Sequence, residues 1–203
     1  VSRSTNPSIA VLVVVVGVLA ACGGPTPSPR PSSSLPVATV EPTPVASPTV
    51  TAGAADTFAR DGRFQLLLSL PASTFRASEP ITGEGVLTTL DGREAGIAGS
   101  GAGVIGFTFR EIGGTRSMGG LMTADCAPHT IPAGGDLRAT LRPSAGWSAE
   151  DPNADFYRAF SEASEVRLPA GTWEIAAHAI FMGPGCTQPE RNLVAATMVE
   201  VTP

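Results

Sequence analysis

The chain has 203 residues, with 13 basic against 18 acidic side chains and a formal net charge of −5; every basic residue is arginine. An acidic balance without a basic stripe lacks the electrostatic footprint of a nucleic-acid binder, which excludes nucleic acid as a partner. Three cysteines and two histidines narrow the metal and catalytic chemistry open to the chain.

Arg3 near the start, an apolar run from Ile9 to Leu19, and the small pair Ala20-Ala21 before Cys22 follow the order of an export signal. Gly23-Gly24-Pro25 ends the run just after Cys22, so it is short of the ~20 apolar residues that span a bilayer core. The stretch Leu19-Ala20-Ala21-Cys22 resembles the lipobox of bacterial lipoproteins. That resemblance implies lipidation of Cys22, cleavage between Ala21 and Cys22, and a location anchored to the cell membrane on its extracytoplasmic side. Two or three acyl chains at Cys22 would anchor stably where a single chain would not. The alternative is an ordinary cleaved signal peptide with a coincidental cysteine.

Residues 22–55 form the lipidated cysteine and a linker. From Gly23 onward the segment is rich in Pro, Ser, Thr, Ala and Val, with Glu41 and Arg30 as its only charges and no aromatic residue. Such a segment cannot build a core and is expected to be a disordered, extended tether reaching at most ~100 Å. Residues 56–203 have the length of one domain.

In that domain Phe64, Leu66, Leu68 and Leu70 share one face of a strand ended by Pro71. An alternating strand runs through to Leu90, and Gly101-Ala102-Gly103-Val104-Ile105-Gly106 satisfies G-x-G-x-x-G. A dinucleotide loop follows a strand and opens a helix, whereas this stretch precedes a strand and reads better as a glycine-rich hairpin or bulge. Ile105, Phe107 and Phe109 then alternate with Gly106 and Thr108, and Leu137, Ala139 and Leu141 alternate with Arg138, Thr140 and Arg142.

Between the strands, Asp151-Pro152 reads as an N-cap followed by proline at the first helical position, with Phe156, Phe160 and Ala163 on one face of a short helix covering an open end of the fold. Asp151, Asn153, Asp155 and Glu162 also fall at positions 1, 3, 5 and 12 of a calcium-loop template. Phe156 stands where that loop needs glycine, so capping is the favoured reading and no metal is assigned. Leu168-Pro169-Ala170-Gly171 supplies a turn into the strongest strand, whose residues Trp173, Ile175, Ala177, Ala179 and Phe181 point inward, opposite Glu174 and His178. A last strand covers Leu193 to Val201. About seven strands separated by turn signals predict a two-sheet, all-β sandwich.

Once Cys22 is assigned to lipid, Cys126 and Cys186 remain as a pair, each in a turn-like setting, and export favours a disulfide that staples two loops. Two unpaired thiols are the alternative, and a zinc site from Cys126, His129, His178 and Cys186 is disfavoured because C-x-x-H is not a recurring zinc spacing. A serine hydrolase would have to use His129 or His178, and Gly99-Ser100-Gly101 lacks the pattern of a nucleophile elbow.

Phe75-Arg76-Ala77-Ser78-Glu79-Pro80-Ile81 and Leu168-Pro169-Ala170-Gly171-Thr172-Trp173-Glu174-Ile175 resemble turn-and-strand features of bacterial immunoglobulin-like domains, and the combination is similar to the β-sandwich of BsuPI-type proteinase inhibitors. The resemblance covers about a third of the domain. It implies an immunoglobulin-like β-sandwich with one short inserted helix and carries over no functional residue. The expected function is a lipid-anchored binding or accessory module of the bacterial cell envelope, without cofactor, whose partner is an envelope protein or glycan. The alternatives are an inhibitor of exported proteases and an envelope enzyme.

Overall fold

The computed structural model describes residues 55–203 except Leu121 and Ala124. The leader, the lipobox with Cys22 and the linker up to residue 54 lie outside the described residues. In chain order the elements are β1 (Ala55–Asp61), β2 (Phe64–Leu70), β3 (Thr74–Arg76), β4 (Glu84–Thr89), β5 (Ala95–Gly99), β6 (Ile105–Glu111), β7 (Ser117–Gly119), β8 (Ala127–Ile131), β9 (Asp136–Thr140), α1 (Ala154–Glu162), β10 (Gly171–Gly183) and β11 (Thr187–Thr202). They form an all-β sandwich with one helix. Among the described residues no helix is long and apolar enough to cross a membrane.

One sheet has the order β1-β2-β4-β9 and is antiparallel throughout. Its first hairpin turns in two residues and opens on Gly62, whose φ of +57° suits a residue without a Cβ. The other sheet is organised around β10. One edge of β10 pairs antiparallel with β11, which pairs in parallel with β3. The other edge is shared: β6 pairs with Trp173 to Ala179, and β5 takes over at Met182. β7 lies outside β6 and β8 outside β5, so the sheet forks at that end.

The faces expected to point inward do so where strands are central. Leu66, Leu68 and Leu70 of β2 and Leu87 of β4 are fully buried, together with Phe109, Trp173, Ile175 and Phe181 from the opposite sheet. Phe64 and Phe181 meet edge-on across the two sheets with ring centroids 4.9 Å apart. Each such side chain contributes about 1.5–3 kcal/mol through burial. Leu137 and Ala139 are only half-buried because β9 is an edge strand, with no neighbour on its far side to cover them. β1 was not anticipated: its one large apolar residue, Phe58, faces outward and gives no inward signal.

The two segments carrying the immunoglobulin-like resemblance meet. Ile81 N–H donates to the carbonyl of Val166 at 2.8 Å, just upstream of the Leu168 turn. Within that turn the Trp173 indole Nε1–H donates to the Pro169 carbonyl at 2.9 Å, which satisfies the polar atom of a ring with no exposure.

The helix forms as expected but in a different register. Asn153, not Asp151, is the N-cap residue, and it makes no side-chain capping bond. Asp151 instead builds the preceding turn, its carboxylate accepting from Asn153 N–H at 2.8 Å and its carbonyl from Ala154 N–H at 2.9 Å. That turn delays the first helical residue to Ala154 and moves the inward face to Tyr157 and Phe160, leaving Phe156 half-buried and Ala163 exposed. Phe160 packs edge-on to Phe109 at 5.2 Å, and the Tyr157 hydroxyl accepts from Ser117 N–H at 3.1 Å, so α1 sits against β6 and β7.

Candidate ligand cavity beside the cysteine pair

The glycine-rich stretch marks the fork of the second sheet. Ala98 pairs with Met182 and Ile105 with Ala179, so seven steps of one chain lie against three steps of the other. β5 and β6 both run antiparallel to β10, so they behave as one strand from which Ser100 to Gly103 loop out. This is an extended bulge, not a hairpin. Gly99 is required at its root, since a Cβ there would stand 2.8 Å from Val104 Cγ1 and 3.1 Å from the Ile180 carbonyl oxygen.

Ser100 is buried and ties the bulge to the segment before β8. Its Oγ accepts from the N–H groups of Ala102 and Thr123, each at 3.2 Å, and lies 2.9 Å from Thr123 Oγ1. Thr123 gives its one hydroxyl proton to the Asp125 carboxylate at 2.6 Å, so Ser100 is the donor between the two hydroxyls. Asp125 also accepts from Gly101 N–H at 2.9 Å. The Thr123 hydroxyl and then the Gly101 amide hold its carboxyl below the usual aspartate value, with His129 adding a smaller favourable charge.

Serine, histidine and aspartate thus come together, but not as a catalytic relay. His129 Nε2 lies 2.9 Å from the Ser100 carbonyl oxygen, an acceptor only, so this ring nitrogen carries a proton and is occupied. His178 stands elsewhere, on the outer face of β10, with Nε2 2.8 Å from Thr108 Oγ1. Burial pushes its pKa down, against a smaller upward pull from Glu174.

Cys126 and Cys186 lie at disulfide distance, with their Cα atoms 5.8 Å apart and the residues 60 positions apart in sequence. They join the start of β8 to the turn between β10 and β11. The zinc set is therefore not assembled, since its two sulfurs are joined to each other and its two histidines have other partners. The calcium template is likewise not gathered: Asp151 is held in its turn, Asn153 Nδ2 reaches Thr115 Oγ1 at 3.3 Å, and Asp155 pairs with Arg158 at 2.6 Å. Glu162 follows at the far end of α1. Among the described residues, no group of three or more His, Cys, Asp or Glu side chains is placed to hold a metal.

Bulge, cysteine pair and β10 together enclose an open cavity of about 270 Å³. Its lining includes Ala98 and Gly99 with Met122, Ile180, Met182, Cys126 and Cys186. The hydroxyls of Ser100 and Thr123 border it but are already engaged with each other. Among the described residues Glu190 is its one charged lining residue. A smaller groove of about 160 Å³, which shares Met122 and Ile180 with this cavity, is bordered by Gly106, Thr108 and His178.

Met122, Met182 and Glu190 were not singled out in the sequence. Met182 could have been placed on the outer face of β10 by its even spacing from His178 and Ile180. Met122 carries no such signal, because its position depends on the bulge. No family model matches this chain, and no curated protein matches it.

Proposed function

We propose that the chain is a lipid-anchored binding module on the extracytoplasmic side of a bacterial cell envelope, with the cavity beside Cys126 and Cys186 as its ligand site. The anchor rests on the lipobox-like stretch Leu19-Ala20-Ala21-Cys22, and a cysteine pair at disulfide distance suits an exported protein. The observation that carries the binding reading is the cavity itself, concave and largely apolar, with the Ser100 and Thr123 hydroxyls at its border already engaged with each other. An apolar guest entering it displaces water from surface that offers that water few hydrogen bonds. Metabolic labelling with a fatty acid, followed by membrane fractionation, tests the anchor. Label and membrane retention are expected in the wild-type chain and lost in Cys22→Ser, and equal incorporation in both overturns the assignment.

A further inference from the structure

Two features of the cavity wall specify a ligand more narrowly than its apolar character does. The first is sulfur: the sulfur-bearing residues Met122, Met182, Cys126 and Cys186 all belong to the lining, with the Met182 sulfur also 3.8 Å from Gln188 Nε2. Divalent sulfur is polarisable and makes favourable contacts with the edges of aromatic rings. The second is charge. Glu190 is exposed, its backbone N–H is turned onto Gln188 Oε1 at 2.8 Å, and among the described residues its carboxylate has no ion-pair partner. The adjacent Arg191 is engaged with Asp61 at 2.7 Å and does not neutralise it. The domain as a whole carries the same sign, because all 18 carboxylates of the chain except Glu41 fall within residues 55–203, against all 13 arginines except Arg3 and Arg30.

Resting on the proposal of a ligand cavity, we infer that the site takes a small aromatic cation, an arylalkylamine whose ring lies among the sulfurs and whose ammonium group meets the Glu190 carboxylate. The volume of about 270 Å³ lies just under the usual range for drug-sized ligands, which suits one or two fused rings with a short chain. No hydrogen-bond donor is required of the wall, because the ring needs none and the ammonium group is itself the donor. An anionic ligand of the same shape would meet the Glu190 carboxylate with no compensating arginine in the lining among the described residues.

The experiment uses the full chain with Cys22→Ser, exported and isolated without detergent, and calorimetric titration of three near-isosteric probes: tryptamine, 3-ethylindole and indole-3-propionate. Tryptamine is expected to bind most tightly and indole-3-propionate least, with about a three- to five-fold step between cation and neutral probe, as for an exposed ion pair. Glu190→Gln should remove that step and leave 3-ethylindole unchanged, and raising the salt concentration should shrink it in the wild type. Replacing the ring, 2-phenylethylamine should bind more tightly than 2-cyclohexylethylamine. Equal affinities for the three indoles, or a preference that survives Glu190→Gln, overturn the charge assignment while leaving the cavity as a ligand site. A tighter cyclohexyl ligand overturns the aromatic assignment. Absence of binding by every probe overturns the inference together with the ligand site on which it rests.

Discussion

Replacing Cys126 and Cys186 together with serine probes the staple at the fork of the second sheet. The pair spans 60 positions, and closing a loop of that length removes about 14 cal/mol/K of chain entropy from the unfolded state, or about 4 kcal/mol near room temperature. In the folded state β8 keeps its ladder to β5 from Ala95↔Ile131 to Gly99↔Ala127, and β10 keeps its ladder to β11, so few native contacts are lost with the bridge. The destabilisation should therefore come chiefly from the unfolded chain and amount to about 2–4 kcal/mol. With a urea slope of about 2 kcal/mol/M, the unfolding midpoint is expected to fall by ~1–2 M. The slope itself should rise, because an uncrosslinked unfolded chain exposes more surface. Urea denaturation followed by circular dichroism reads both quantities, and mass spectrometry of non-reduced peptides reads the covalent link. Two freely alkylatable thiols in the exported protein would refute the bridge. A bridge whose removal leaves midpoint and slope unchanged would refute the entropic account.

Two further outcomes test the core and the outer face. Trp173→Phe removes the indole that donates to the Pro169 carbonyl and leaves part of a fully buried site empty, so a loss of about 2–4 kcal/mol is expected in the same denaturation assay; a change under ~0.5 kcal/mol would contradict the packing described. His178 has a pKa lowered by burial, so between its folded value and the unfolded value near 6.5 the unfolded chain binds more protons, and stability should fall as pH drops through that window. Thermal melts from pH 7.5 to 5 should show a shallower decline in His178→Gln than in the wild type, and parallel declines would assign the pH dependence to other groups.

The central strands were legible in the sequence because burial with period two is local: a strand covered on one face must alternate, and β2 and β6 do, as does β10 apart from Ala176, which is buried as well. The approach of Cys126 and Cys186 to disulfide distance was expected by counting with Cys22 set aside, and the presence of a helix from its phenylalanines and the Asp151-Pro152 start signal. The helix register was not legible, since whether Asp151 caps the helix or builds the turn before it depends on where the chain enters the groove by β6 and β7. Edge strand β1 was dim because its one large apolar residue faces outward, whereas edge strand β9 was legible from the alternation of Leu137 and Ala139 with Arg138 and Thr140. The cavity was invisible in the sequence. Its walls come from positions 98–100, from 122, 123 and 126, and from 180–182, 186 and 190, and the long-range pairing of β5 and β6 along one edge of β10, with four residues looped out between them, brings those segments together. Alternation and counting are properties of neighbouring residues, whereas a concavity is a property of distant segments brought together by the sheet that holds them.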